Sequence, residues 1–195
     1  MSPWTSSSLI DTDRQLAGRY RQLTDADGSD VVSEIRQPDG SWKVLRTTRA
    51  WDEISVLRVD RRSGRAWLRS NLGRDKSALV EADLATGAER VPGEHPDVDI
   101  AAVQLPPIAG APVAHTTHAG LPHVTWLDPS LGNEVQGAVR EARRRGLLDA
   151  DPVAVRLQNG ALDMRKVVLE AQQDFDTTEL LPDRDTGHVE RLDPK

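Results

Sequence analysis

The sequence predicts a mainly β protein built from repeated four-stranded units, and two observations lead to this prediction. Four short β-favouring segments lie between residues 54 and 92, and turn-forming residues separate them. The turn that closes this unit, residues 83–87 (DLATG), recurs about two unit lengths later at residues 183–187 (DRDTG). Four short strands in about 40 residues are typical of one β-propeller blade. We therefore predict an all-β (mainly) partial β-propeller of about three to four antiparallel blades, with one inserted helix.

The N-terminal residues 1–30 are polar and rich in Ser, Asp, Thr and Arg. We expect an irregular arm there, or a remnant strand of a preceding blade. From residue 31 the composition changes, and the β-favouring runs 31–36 and 41–45 flank the turn 38–40 (PDG). Two such runs around a Pro-Asp-Gly turn predict a hairpin, and we place the partial propeller at residues 31–193.

The best-defined blade spans residues 54–92, with strands expected near 54–59, 65–69, 78–83 and 88–91. Two of its turns begin with Asp and end with Gly, at residues 60–64 and 83–87. An Asp carboxylate can accept hydrogen bonds from turn N–H groups, and Gly adopts positive φ without strain.

The second half of the chain contains both strand and helix patterns. Short apolar runs at 100–103 and 112–114 resemble the opening strands of another blade. Residues 129–147 then carry apolar side chains at helical spacing, with Asp128 as N-cap and Gly146 near the end. A last blade is expected at 152–193, although Pro182 weakens its third strand because proline lacks an N–H donor.

Composition excludes several classes of function. The net charge of −6 argues against a nucleic-acid or anionic-membrane surface, since both need a basic stripe. The chain contains no cysteine, so disulfides and thiolate sites are ruled out. We expect a soluble, cytoplasmic protein, because the first ten residues lack the features of a signal peptide and no window resembles a membrane span.

A family resemblance rests on residues 67–87, which read WLRSNLGRDKSALVEADLATG. This stretch resembles the propeller of the prolyl oligopeptidase family, particularly its bacterial acylaminoacyl-peptidase and dipeptidyl-aminopeptidase-like members. The similarity continues loosely over residues 30–193, through 95–100 (HPDVDI), 126–129 (WLDP) and the second DxxTG turn.

The resemblance implies a serine peptidase, in which a C-terminal α/β-hydrolase domain carries a Ser-Asp-His triad and a Gly-x-Ser-x-Gly elbow. No serine of this chain has glycine at both −2 and +2; Ser130 is nearest, with Gly132 after it but Asp128 before it. Residues 179–182 (ELLP) also replace tyrosines that are typical of the family. We therefore expect a truncated, non-catalytic propeller without the hydrolase domain, and no enzyme activity of the chain alone.

Three histidines, His115, His118 and His123, form the most suggestive metal-binding cluster. Zinc binds imidazole, but residues three apart on a strand point to opposite faces, and no nearby carboxylate or thiol completes the set. We interpret them as solvated loop histidines.

The loop 71–75 (NLGRD) places Arg74 and Asp75 where they could line a peptide channel or meet a hydrolase domain. The favoured interpretation is structural: Asn71 and Gly73 form a turn, the Asp accepts backbone donors and the Arg pairs locally.

Arg143, Arg144 and Arg145 suggest a phosphate or nucleic-acid contact, but they lie at the end of the predicted helix beside Glu141. There, cations complement the helix dipole, which is the interpretation we favour.

Two acidic pairs, Asp97 with Asp99 and Asp174 with Asp176, could suggest acid–base chemistry, although Asp-rich loops are commoner than catalytic dyads. We predict no catalytic, cofactor-binding or metal-ligating residue, and no cofactor.

Three functions remain open. The first is a non-catalytic propeller, either a remnant or one half of a split peptidase whose α/β-hydrolase domain is encoded separately. The second is a stand-alone protein-interaction module that binds a partner or self-associates through open propeller edges. The third, an enzyme with an unrecognised site, has no supporting motif.

Overall fold

The structure is a computed structural model that describes residues 8–10, 16–25, 28–37, 39–49, 52–106, 110–160, 167–173 and 176–192. Within these residues the chain forms four antiparallel sheets and one helix. It divides into two compact units, residues 1–99 and 100–195. The predicted fold class, mainly β with several antiparallel blades and one helix, is confirmed.

The first sheet of the N-terminal unit contains β1 (Ser8–Ile10), β2 (Leu16–Asp25), β3 (Gly28–Arg36) and β4 (Trp42–Arg49), in that order. The expected hairpin is the β3–β4 pair, although Pro38 of its turn lies outside the described residues.

Residues 8–10 and 16–25 are strands, which differs from an irregular arm and agrees with the alternative expectation of strand structure in this region. The physical reason is the long backbone ladder between β2 and β3, which runs from Gly18 opposite Ile35 to Asp25 opposite Gly28. Ladder hydrogen bonds need only a backbone partner, so a polar strand without a continuous apolar run can form.

The second sheet contains β5 (Ile54–Asp60), β6 (Arg65–Ser70), β7 (Ala78–Asp83) and β8 (Glu89–Gly93). Side chains alternate along these strands, and one face builds the core of the unit. Leu68 and Val80 lie at the centre of this core, and Ile35 and Leu45 of the first sheet pack against them.

The third sheet lies in the C-terminal unit and has the order β11-β10-β9, with β9 (Ile100–Gln104), β10 (Ala114–Ala119) and β11 (Leu121–Trp126). The expected strand at 112–114 instead begins at Ala114 and continues to Ala119. In the described residues this sheet has three strands, where each of the other sheets has four.

Helix α1 (Pro129–Arg144) follows the third sheet. The N-cap is Asp128, as the sequence predicts, and its Oδ1 accepts hydrogen bonds from the N–H groups of Ser130 (3.0 Å) and Leu131 (3.2 Å). The helix ends three residues before the predicted residue 147, because Arg145 is the C-cap and Gly146 takes a positive φ of 69°. No helix among the described residues is long and apolar enough to cross a membrane.

The fourth sheet contains β12 (Ala154–Gly160), β13 (Val167–Gln172), β14 (Thr177–Pro182) and β15 (Val189–Arg191). Pro182 is tolerated because it is the last residue of β14, opposite Val189. Helix α1 packs its apolar face on this sheet, and the core joins Leu131, Val135 and Ala142 to Leu169 and Leu180.

Candidate functional site

The closing turns of the second and fourth sheets have the same internal geometry. In the turn 83–87, Asp83 Oδ1 accepts hydrogen bonds from the N–H groups of Ala85 (3.0 Å) and Thr86 (2.9 Å). In the turn 183–187, Asp183 Oδ1 accepts from Asp185 and Thr186, both at 2.9 Å. Each turn ends with a glycine at positive φ, 75° in the first and 71° in the second. The repeated sequence motif is therefore a repeated structure.

The turn 83–87 is bound by two cationic side chains of β4. Lys43 Nζ donates to the carbonyl oxygens of Leu84 (3.1 Å) and Ala85 (3.2 Å). Arg46 Nη2 donates to the carbonyl oxygen of Gly87 (3.0 Å). All three carbonyl oxygens are hydrogen-bond acceptors, and the two cationic side chains supply their donors.

A β-bulge lets both cations reach this turn. Ser33 pairs with Arg46 and Glu34 pairs with Val44, so Leu45 has no partner in the ladder. On a regular strand, residues 43 and 46 would point to opposite faces, and the extra residue changes this alternation. Leu45 itself is buried in the core of the unit.

The turn 183–187 borders a cleft of about 580 Å³ instead. Helix α1 forms one wall of the cleft with Val135, Gly137 and Ala138, and the fourth sheet forms the other wall with Leu169 and Val189. The walls are therefore mainly apolar. Charged side chains lie at the rim of the cleft: Glu134, Asp183, Arg184 and Asp185.

The rim is electronegative because three carboxylates face one guanidinium. Arg184 forms an ion pair with Glu134 at 2.6 Å, which neutralises both groups. Hydrogen bonds from the N–H groups of Thr186 and Asp185 lower the pKa of Asp183, so this carboxylate stays charged at neutral pH. The exposed Asp185 adds a further negative charge.

Helix α1 is held in place by the arginines at its C-terminus. Arg145 donates to the carbonyl oxygen of Val189 on β15, and Arg144 forms an ion pair with Glu141 at 2.6 Å. The hydrogen bond from Arg144 lowers the pKa of Glu141. Arg143 lies 3.3 Å from Asp151. All three arginines have local partners, which favours the structural interpretation over a phosphate site.

The three histidines lie on the β10–β11 hairpin, so their interpretation as solvated loop residues is wrong in part. His115 is buried, with 4% of its surface exposed, whereas His118 and His123 are exposed. His115 and His118 occupy opposite faces of β10. The part of the chain that the structure describes contains no group of three or more His, Cys, Asp or Glu side chains that could hold a metal ion.

The loop 71–75 has structural contacts. Asn71 Oδ1 accepts a hydrogen bond from the N–H group of Glu53 at 2.8 Å, and Gly73 takes a positive φ of 72°. Asp75 is exposed and lies 3.3 Å from Lys76. These contacts favour the predicted turn over a channel-lining role.

In each acidic pair, one aspartate accepts a hydrogen bond from a backbone N–H group. Asp99 Oδ1 accepts a hydrogen bond from the N–H group of Ser77 at 2.6 Å, and Asp97 is exposed. Asp176 accepts from the N–H group of Thr177, while Asp174 lies outside the described residues.

Sequence reasoning did not identify the cleft. Its walls come from α1 and from β13 and β15, which are separated in the chain, so no local motif marks it. The one sequence feature that points to the cleft is the helical pattern at 129–147. It occurs at a position in the chain where a further strand of a blade would be expected.

Comparisons with solved structures identify the fold. Prolyl oligopeptidase B from Galerina marginata, bound to a 35mer hydrolysis and macrocyclization substrate, matches with a TM-score of 0.56 and 12% identity. The match covers 97% of this chain and 26% of that chain, and the same protein bound to a 25mer macrocyclization substrate gives the same values. TolB from Acinetobacter baumannii matches with a TM-score of 0.48 and 12% identity, over 98% of this chain and 44% of that chain.

No family model and no curated protein matches the sequence. The chain spans about a quarter of the prolyl oligopeptidase B chain. At this low identity the likeness concerns architecture alone, and prolyl oligopeptidase B has a β-propeller domain. The described residues therefore have a partial β-propeller fold.

Proposed function

We propose that this chain is a non-catalytic propeller domain that controls the access of peptides to a serine-peptidase catalytic domain outside these 195 residues. It would be either a remnant of such an enzyme or one half of a split peptidase. The observation that carries the proposal is the likeness of 97% of the chain to part of prolyl oligopeptidase B. The family-like stretch at residues 67–87 supports it from the sequence side.

The lack of catalysis in these residues is supported by the absence of a serine elbow. A nucleophilic serine needs a sharp turn between strand and helix, with small residues on both sides. Ser130 is the second residue of helix α1, but its neighbours at −2 and +2 are Asp128 and Gly132. Asp128 caps the helix there, so its carboxylate has a structural role.

The alternative is a stand-alone protein-interaction module, and one observation favours it. The cleft between α1 and the turn 183–187 has apolar walls and a charged rim, a combination that suits peptide recognition. Such a module would function without a hydrolase domain.

The test combines the purified chain with a separately produced α/β-hydrolase domain of the prolyl oligopeptidase family. We expect peptidase activity on a short peptide only in the mixture, and no activity from the chain alone. The chain alone should also leave a serine-directed fluorophosphonate probe unreacted. Labelling of any of its serines would overturn the non-catalytic assignment.

A second measurement separates the two functions. If the chain gates a peptidase, it should co-purify with the hydrolase domain, and the mixture should cleave a short peptide much faster than a folded protein. A chain that is monomeric, binds no hydrolase domain and leaves cleavage unchanged would contradict gating and favour the interaction module.

A further inference from the structure

The N-terminal unit shows how a closing turn of this fold is covered by an extended strand. β4 places Lys43 and Arg46 on the carbonyl oxygens of the turn 83–87. Between these two cations, Leu45 enters the core that covers the second sheet. The covering segment thus combines two basic side chains with one buried apolar side chain, over four residues (KVLR).

The C-terminal unit contains the same turn. Asp185 and Gly187 correspond to Ala85 and Gly87, and the two turns share their internal hydrogen bonds. The carbonyl oxygens of Asp185 and Gly187 are therefore the counterparts of two oxygens that Lys43 and Arg46 bind in the turn 83–87. The third sheet has only three described strands, and the chain continues into α1.

The cleft borders the turn 183–187, and β4 contacts the corresponding turn 83–87. Its volume of about 580 Å³ falls inside the range of about 300–1,000 Å³ that is usual for ligand pockets. Gly137 leaves room on the helix wall, because a Cβ placed there would have only Arg140 Nη2, at 3.9 Å, as a neighbour.

We propose that this cleft binds an extended basic peptide segment of a partner protein, in the manner of β4. The segment carries two basic residues that flank an apolar residue. Its basic side chains bind the carbonyl oxygens of Asp185 and Gly187 and the Asp185 carboxylate, and its apolar side chain enters between α1 and the fourth sheet.

Charge complementarity favours this occupant over an acidic or purely apolar one. The rim holds three carboxylates against the single guanidinium of Arg184, which is already paired with Glu134. Turn carbonyl oxygens accept hydrogen bonds and cannot donate, so they favour donors such as Lys and Arg side chains over carboxylates. The apolar walls exclude a ligand that is charged along its whole length.

The experiment uses the full chain and a fluorescein-labelled peptide that copies residues 41–49 (SWKVLRTTR). We expect saturable binding in fluorescence anisotropy, and weaker binding as salt increases. A peptide in which the residues copied from Lys43 and Arg46 are both Glu should not bind. Asp185→Lys should weaken binding by about tenfold or more, because it reverses a charge at the rim.

Asp97→Lys is the matched control, since it makes the same charge change at an exposed loop residue of the other unit. Gly137→Phe provides a second variant, because its ring fills the cleft and should abolish binding without changing the net charge. Circular dichroism and thermal unfolding confirm that each variant is folded.

Three results would overturn the proposal. One is no binding of the peptide, and another is equal loss of affinity in Asp185→Lys and Asp97→Lys. The third is concentration-dependent dimerisation that Asp185→Lys abolishes, since a second copy would then occupy the cleft. The measurement needs no hydrolase domain, so peptide binding and the gating function can fail separately.

Discussion

Two glycines of helix α1, Gly132 and Gly137, differ in how much space surrounds them. A Cβ on Gly132 would lie 2.9 Å from Trp126 Cβ, closer than real Cβ atoms approach, and 3.0 Å from Trp126 Cγ. A Cβ on Gly137 would make only an ordinary van der Waals contact, with Arg140 Nη2 at 3.9 Å. The sequence contains both glycines within one helical pattern, and only the packing of the helix against β11 distinguishes them.

We predict that Gly132→Ala and Gly137→Ala change stability in opposite directions. Gly137→Ala should raise the free energy of unfolding by up to about 1 kcal/mol, because alanine is the better helix former. Gly132→Ala should lower it by about 1–3 kcal/mol, since the new methyl group overpacks against Trp126. Urea unfolding followed by circular dichroism measures both. A change of the same sign in the two variants would contradict the packing of α1 on β11.

At the residue scale, the sequence predicts caps well and burial poorly. Asp128 was identifiable as the N-cap because its carboxylate acts on the next few residues. His115 was not identifiable as a buried residue, because its burial depends on what covers its face of β10. The local sequence around His115 would be the same in an exposed hairpin and in a hairpin packed against other elements.

The elements that repeat are the closing turns, and their stability depends on charged Asp side chains. Hydrogen bonds from the N–H groups of Thr186 and Asp185 lower the pKa of Asp183. Hydrogen bonds from the N–H group and then the hydroxyl of Thr86 lower the pKa of Asp83 in the same way. A carboxyl whose pKa is lowered in the folded state stabilises the fold above its unfolded pKa.

We predict that the chain loses stability as the pH falls below about 4, where aspartates become protonated. The loss continues until the pH passes the lowered pKa of the folded turns. Asp183→Asn should flatten this pH dependence, because its amide oxygen still accepts the turn N–H groups but does not titrate. It should also be less stable than the native chain at pH 7.

Thermal unfolding measured from about pH 2.5 to about pH 7 tests this prediction, because this range includes the pH values at which aspartates titrate. The control is Asp97→Asn, which removes the same charge from an exposed loop. An unchanged pH profile in Asp183→Asn would show that this turn does not contribute to acid unfolding.

At the element scale, strands with strong local patterns were predictable and those defined by pairing were not. The strands of the second sheet follow β-favouring runs between Asp and Gly turns, so their positions could be read from the sequence. β2 has no such run and exists through its ladder with β3. The length of β10 likewise depends on its pairing with both β9 and β11.

The whole molecule consists of two units, each with its own apolar core. One core lies within residues 1–99 and includes Leu68 and Val80. The other lies within residues 100–195 and joins α1 to the fourth sheet through Leu169 and Leu180. A unit whose core residues all belong to it has the elements needed to fold by itself.

We predict that residues 100–195 fold as a separate polypeptide. The expected signs are a helical contribution to the circular dichroism spectrum and a cooperative urea transition. Leu169→Ala in this fragment should lower its free energy of unfolding by about 2–5 kcal/mol, because it leaves a cavity under α1. A fragment with the spectrum of an unfolded chain would show that its core needs residues 1–99.

The sequence by itself determined the repeated Asp and Gly turns, the start of α1, and the strands of the best blade. These features depend on hydrogen bonds and backbone preferences within a few residues, so the local sequence contains their causes. Only the tertiary structure decided the pairing of β2, the binding of Lys43 and Arg46 to a turn about 40 residues away, and the cleft beside the turn 183–187. Each of these depends on which distant residues meet.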